Sequence, residues 1–416
     1  MFDFESTLAP LRHRDFRRLW AGTFFATAGQ WIQQATLGWV VYEVTRSPGL
    51  LGAVLGVRAI PMLVLAPITG VVADRFDRRY ALAAAQALMV TISAVLAVLL
   101  ALDAVKTWHL FAFSVLSGVS AVFDRTLRST LVFTSVPRTE AANAIALNSI
   151  AFSVTRAVGP SIAGFLIAAV GAASNFGIQA LMYLGVVFAA LSVSAPPLPP
   201  SRRAPTPPWL AMKDGLRFAL TDPVARVMFV LGLVPPLLLI PCLSALMPIF
   251  AADVFRSGPQ GLGTLLSAVG VGGILGGLVA AWATRYDRSG LVQVLALVVF
   301  AASLFCFAVS PTIAFAVVFL VIAGIAEMVH HIIHVTTLQM CAPEHMRGRV
   351  ASLLPVFPAF ISVGALASGI AADVLGADIV VILFVTVAVA VVAAAWTRSA
   401  ALRDVTLSGL IAGEKR

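Results

Sequence analysis

Hydrophobic residues in this chain fall in long uninterrupted stretches separated by brief polar breaks, with no short alternating runs. Twelve stretches are legible, near 19–43, 49–73, 80–102, 107–131, 141–170, 173–194, 225–252, 261–284, 290–309, 312–341, 348–374 and 377–397. An α-helix of roughly twenty apolar residues crosses a hydrocarbon core of about 30 Å, whereas a spanning strand needs only about ten alternating residues. The pattern predicts an all-α membrane protein with 12 transmembrane helices. The stretches that exceed the bilayer requirement predict tilt or extension beyond it.

The breaks carry the charge, and carry it unevenly. With a cytoplasmic N-terminus, one side receives Arg12, Arg14, Arg17, Arg18, Arg75, Arg78, Arg79, Arg138, Arg202, Arg203, Arg285, Arg288, Arg347 and Arg349, whereas the other keeps Arg46, Lys106 and Arg256. Basic loops stay inside, so both termini are expected in the cytoplasm, with the chain in a bacterial inner membrane. After the sixth stretch, prolines crowd from Pro196 to Pro208. Such a run forms an extended connector and not a membrane helix. Trp209 to Leu220 then reads as a short amphipathic surface helix, stopped by Asp222-Pro223. The expected divisions are a six-helix bundle over 1–194, a linker over 195–223, a second bundle over 224–400 and a tail over 401–416.

Composition excludes whole classes of function. Only 11% of the 416 residues are charged and 60% are hydrophobic, against about 25% charged in average soluble domains. A soluble enzyme is not expected. The net charge of +9 would suit a nucleic-acid-binding surface, but the basic residues sit in short loops as topology demands, and no nucleic-acid partner is predicted. Cys242, Cys306 and Cys341 lie in or beside apolar stretches and read as small core residues without a disulfide framework. The arginine-rich N-terminus leads into an apolar stretch with no small-residue cleavage site, which predicts a retained first helix. Gly270-Val271-Gly272-Gly273 and Gly276-Gly277 lack the Gly-Lys-Ser/Thr ending of a phosphate loop. They read as close helix packing, so neither a cofactor nor direct ATP use is expected.

The two halves echo each other. Ala73-Asp74-Arg75-Phe76-Asp77-Arg78 aligns with Ala283-Thr284-Arg285-Tyr286-Asp287-Arg288, and Pro137 aligns with Pro343. A shift near half the length marks two parallel repeats. The loop Gly70-Val71-Val72-Ala73-Asp74-Arg75-Phe76-Asp77-Arg78-Arg79 resembles the signature loop of the major facilitator superfamily, with Asp77 where glycine is usual. The resemblance implies a gating latch formed by Gly70, Asp74, Arg75 and Arg78; the copy in the second half has Thr284 in place of the aspartate. Gly159-Pro160-Ser161-Ile162-Ala163-Gly164 is similar to the Gly-Pro motif of facilitator-type antiporters, which implies a bent helix and export over uptake. Phe16-Arg17-Arg18-Leu19-Trp20, Leu37-Gly38-Trp39-Val40-Val41-Tyr42, Asn143 to Asn148, Asp214 to Phe218 and Pro343 to Val350 resemble the branch that includes the enterobactin exporter and macrolide-efflux pumps. The arginine that many related antiporters carry near the middle of the fourth span has no counterpart over 110–121.

Ionisable side chains within spans cost several kcal/mol and are functional candidates by default. Arg58 and Arg156 are candidates for substrate contact or for structural pairing, and Gln30, Trp31 and Gln34 supply donors and an aromatic face suited to an amphipathic ligand. Asp124 and Arg128 share one helix face. Glu327 and His331 do so at the corresponding place in the second repeat. Both pairs suit a charge network that changes with conformation, or solvated helix ends. Glu327, His330, His331 and His334 form a stripe that can carry protons, hold a metal or simply end a helix. The proton-coupling candidates are Asp124, Glu327 and His331, and no metal is assigned. Pro235, Pro236 and Pro241 predict a kinked seventh span. The sequence thus predicts a monomeric exporter of a small amphipathic molecule, a drug or siderophore-like metabolite, working by alternating access as a proton antiporter. Uptake or lipid flipping on the same fold, and a membrane-embedded receptor or enzyme, remain the alternatives.

Overall fold

The computed structural model describes residues 8–194, 208–283, 286–343, 346, 349–350, 353–354 and 356–411. Each apolar stretch contains helix among the described residues. In chain order the helices are α1 (Arg14–Thr45), α2 (Pro48–Val57), α3 (Ala59–Arg75), α4 (Arg78–Ala101), α5 (Thr107–Thr134), α6 (Ala141–Leu191), α7 (Pro208–Thr221) and α8 (Pro223–Val234). The second half continues with α9 (Gly258–Ala283), α10 (Ser289–Ala308), α11 (Ile313–Met340), α12 (Val356–Leu375), α13 (Ala377–Arg398), α14 (Ala400–Asp404) and α15 (Leu407–Ile411). Among the described residues there is no strand, and nine helices are long and apolar enough to cross a membrane. The chain is a multi-pass membrane protein.

Local chemistry sets the ends. Asp77 caps α4 by accepting from the Arg79 N–H. Asp222 caps α8 by accepting from Val224 and Ala225, with Pro223 at the first helical position, where its missing N–H costs nothing. The two predicted spans at 141–170 and 173–194 run as one helix, α6, interrupted only at Gly171. Its φ of 81° is one that residues with a side chain rarely adopt. The proline-rich seventh span is not a plain kinked helix. Its backbone passes through π-helical turns at Pro235–Leu239 and Phe250–Val254, because prolines remove hydrogen-bond donors and loosen the helical register.

The chain forms two compact units. The first holds residues 1–46, 57–204 and 258–263. Here α1 lies along α6, α4 packs on α5 and α6, and Phe16, Leu19, Leu82, Leu127 and Leu131 fill the core. Trp20 Nε1 donates to the Leu147 carbonyl at 3.0 Å, pinning α1 to α6.

The second unit holds residues 47–56, 205–257 and 264–416. In it α10 packs on α11 and α13, while α12 packs on the turns around Pro235. Helix α9 meets α11 backbone to backbone: a Cβ at Gly272 would lie 2.1 Å from the Val321 carbonyl, and one at Gly324 would lie 2.2 Å from that of Val269. Lipid gives helices no hydrophobic reason to associate, so such close packing must do so, and a side chain at either glycine would part them. The short helix α2 belongs to this unit, and Asp373 of α12 accepts from Gly49 N–H at 2.9 Å and from Ser47 Oγ at 3.2 Å. A carboxylate at a helix N-terminus is well placed against the dipole. Asp214 of α7 pairs with Arg349 at 2.9 Å, joining two of the stretches that carry the family resemblance.

Candidate functional site

Within the first unit, α1 and α6 bring together Trp31, Phe152 and Arg156. The Trp31 and Phe152 rings meet edge to face at 5.7 Å, and the Arg156 guanidinium lies 5.7 Å from the centre of the Trp31 ring. That is within cation–π range. Gly159, one turn beyond Arg156, makes the approach possible, because a Cβ there would sit 2.9 Å from that of Trp31. Trp31 Nε1 is buried with no hydrogen-bond partner among the described residues. An indole N–H in that state invites an acceptor from a ligand.

Farther along α1 the interior is polar and only partly paired: Asn175 Oδ1 and both polar side-chain atoms of Gln179 are buried without partners among the described residues. Tyr183 Oη donates to Gln33 Oε1 at 2.9 Å, and Asn175 Nδ2 donates to Thr36 Oγ1 at 2.7 Å. Gln33 therefore holds helices together, while Gln30 and Gln34 are half-buried. Arg58 occupies the break between α2 and α3, with its backbone carbonyl pressed against Gly118 of α5. Its Nε is buried without a partner among the described residues. The Gly-Pro motif packs closely: a Cβ at Gly164 would come within 2.3 Å of the Pro259 carbonyl.

Asp124 and Arg128 form an ion pair on α5, and Gln86 of α4 donates to the same carboxylate oxygen at 2.5 Å. Arg128 is 8% exposed, and that carboxylate is the counter-charge it meets. The corresponding part of the second unit is built otherwise. Helix α11 divides the predicted stripe: His330 and His334 are buried, Glu327 is half-buried and His331 is exposed. The rings of His330 and His334 stack at 5.5 Å, and Gln293 Nε2 lies 3.2 Å from His334 Nδ1. Gln293 Oε1, His330 Nδ1, His334 Nε2, Ser289 Oγ and Thr337 Oγ1 are buried without partners among the described residues. No three His, Cys, Asp or Glu side chains among those residues are arranged to hold a metal.

The latch residues Gly70, Asp74 and Arg75 lie on α3, but their side chains fall outside the description. Arg78 opens α4, and its neighbour Arg79 carries the visible contacts: Asp77 at 2.6 Å and the Val193 carbonyl at 2.8 Å. The Arg79 guanidinium holds the Asp77 carboxyl below its ordinary pKa by hydrogen bonding. Asp77 thus supplies a cap where the signature has glycine. Sequence reasoning missed the roles of Gln86 and Gln293. Their signal was a lone amide in each of two corresponding apolar spans, 207 residues apart.

Comparison with known proteins points the same way. The model of the transmembrane secretion effector family matches residues 5–412. The multidrug efflux pump Tap of Mycolicibacterium fortuitum is 29% identical over 344 residues, covering 79% of this chain and 82% of that protein. The enterobactin exporter EntS of Shigella boydii serotype 4 is 26% identical over 349 residues, covering 82% and 81%. The crystal structure of a D323A mutant of the nucleoside transporter NupG superposes with a TM-score of 0.75 at 16% identity, covering 92% of this chain and 99% of that one. The last likeness establishes the fold.

Proposed function

We propose that this chain, which belongs to the transmembrane secretion effector family of the major facilitator superfamily, exports a small amphipathic molecule by alternating access in exchange for protons. Its relatives include a multidrug efflux pump and a siderophore exporter, and it is a transporter, not an enzyme. The substrate we assign is drug-like or siderophore-like, carrying an aromatic ring and a hydrogen-bond acceptor. The observation that carries this reading is the Trp31–Arg156 cluster with its unpartnered indole N–H. The indole face offers stacking, its N–H offers a bond to a carbonyl or phenolate, and Arg156 and Arg58 favour negative charge. Gln30 and Gln34, on the same helix as Trp31, supply further polar contacts.

For coupling we assign Asp124, Glu327 and His331 as the groups that take up and release protons. The Asp124 carboxylate cannot be protonated without weakening its bond to Arg128, so proton uptake would free a buried cation. The latch residues Gly70, Asp74, Arg75 and Arg78 and the Gly159-Pro160 motif fit a conformational role. The location we assign is a bacterial inner membrane with both termini cytoplasmic, and the working form is a monomer.

The test is thermal stabilisation of the purified full chain by a panel of catecholate siderophores, macrolides and tetracyclines. At least one compound should raise the melting temperature, and Trp31→Ala and Arg156→Gln should weaken its binding about tenfold or more. Equal shifts in Trp31→Ala and the parent chain would refute the site.

A further inference from the structure

We infer that the second unit carries a binding groove for one anionic phospholipid, distinct from the substrate site and independent of the transport reading. A cavity of about 650 Å³ lies among the end of α9, the start of α10 and the middle of α11. Its lining is apolar except at one end, where Trp282, Tyr286, Asp287 and Arg288 gather. Trp282 and Tyr286 meet edge to face at 4.8 Å and are more than half exposed. Exposed indole and phenol rings at the end of a spanning helix mark the headgroup level of a bilayer.

Depth identifies the occupant. The lining follows α10 from Arg288 to Val299, a rise of about 16 Å, which is close to one leaflet of a ~30 Å hydrocarbon core. A groove that starts at the headgroup level, runs one leaflet deep and is apolar throughout fits a lipid acyl chain. Leu295 on its wall is 54% exposed, so the groove is continuous with the surface that faces lipid.

Charge selects the headgroup. Arg288 stands at the mouth, where α10 begins without a side-chain cap. A guanidinium beside a helix N-terminus suits a phosphate. The acid at the same mouth, Asp287, is turned to other use: its carboxylate accepts from Ser408 N–H at 2.7 Å and from Ser408 Oγ at 2.5 Å. With both Asp287 oxygens engaged by Ser408, Arg288 is the group at the mouth that meets a headgroup phosphate, and it is this cation that favours an anionic lipid. Ile325, Ala326 and Val329 of α11 form part of the lining, and His330 follows directly on that helix. A bound lipid would buttress the helix that carries the buried histidines.

The experiment is native mass spectrometry of the purified full chain with palmitoyl-oleoyl phosphatidylglycerol or phosphatidylcholine. The parent should retain one phosphatidylglycerol about fivefold more tightly than phosphatidylcholine, the discrimination one arginine gives near a membrane surface. Arg288→Ala should remove the discrimination while leaving weak binding of both lipids. Leu295→Trp, which fills the groove from its exposed wall, should abolish retention of both; if that variant does not fold, Val299→Phe serves the same purpose. Equal retention of the two lipids by the parent would overturn the inference. So would undiminished phosphatidylglycerol binding in the folded groove-filled variant. Displacement of the lipid by a macrolide or tetracycline at micromolar concentration would also overturn it, by making the groove a route for hydrophobic solutes.

Discussion

Each unit places a glutamine of its third span against a polar side chain of its fourth, yet the two contacts are chemically opposite. In the first unit Gln86 meets Asp124, already paired with Arg128, and on those two helices Gln86 Oε1 and Ser93 Oγ are the buried polar atoms left without a partner among the described residues. In the second, Gln293 meets His334, and five polar atoms in and beside that contact on the same two helices are buried without partners among the described residues. A buried ion pair is expensive to break from one side. An unsatisfied neutral cluster would cost about 1–3 kcal/mol per orphaned group unless water or a proton is held there. Both repeats set an amide against a polar side chain of the next span, while the chemistry has diverged from an ionic pair to an amide–imidazole contact with more buried atoms left over.

The largest expected effect breaks the ion pair. Asp124→Asn leaves Arg128 buried without its counter-charge and should destabilise the protein by about 3–5 kcal/mol, read as a lowered melting temperature in detergent. Adding Arg128→Gln should restore most of that loss, because no charge is then stranded. Full loss persisting in the double variant would mean that the pair serves packing and not charge balance.

The counterpart in the second unit should behave in the opposite sense. His334→Leu combined with Gln293→Leu replaces both partners by apolar groups and should leave stability within about 1 kcal/mol of the parent, or raise it. A destabilisation as large as that of Asp124→Asn would erase the contrast.

The smallest effect concerns acid. Because hydrogen bonding to Arg79 lowers the Asp77 carboxyl below its ordinary pKa, its contribution to stability is complete above the unfolded value of about 4. It is lost only as pH falls through the lower folded value. Melting temperature between pH 7 and pH 5 should therefore differ equally between Asp77→Asn and the parent, with the gap closing only in stronger acid. A gap that closes already at pH 5 would show that another group dominates.

Much of this was legible in the sequence, for a physical reason. Membrane helices announce themselves by length and apolarity alone, so every predicted span contains helix among the described residues, although the fifth and sixth run on as one and the seventh passes through π-helical turns. The Asp124–Arg128 pair followed from helical spacing. What spacing cannot supply is the angle at which a helix meets its neighbours. The stripe from Glu327 to His334 therefore read as one feature, although its histidines face in two directions. The π-helical turns of the seventh span depend on where freed carbonyls find donors, which prolines announce only as disturbance. Gln86 and Gln293 passed unnoticed because a lone amide in an apolar span reveals its importance only through its partner.

The central claim is proton-coupled export through the aromatic–cation cluster. Its most direct test is uptake into inside-out membrane vesicles containing the full chain, using the compound that gives the greatest thermal stabilisation, with a pH gradient imposed across the vesicle wall. Uptake should follow the gradient, collapse when the gradient is dissipated, and fall about tenfold or more in Trp31→Ala. Uptake indifferent to the gradient, or unchanged in that variant, would contradict the account.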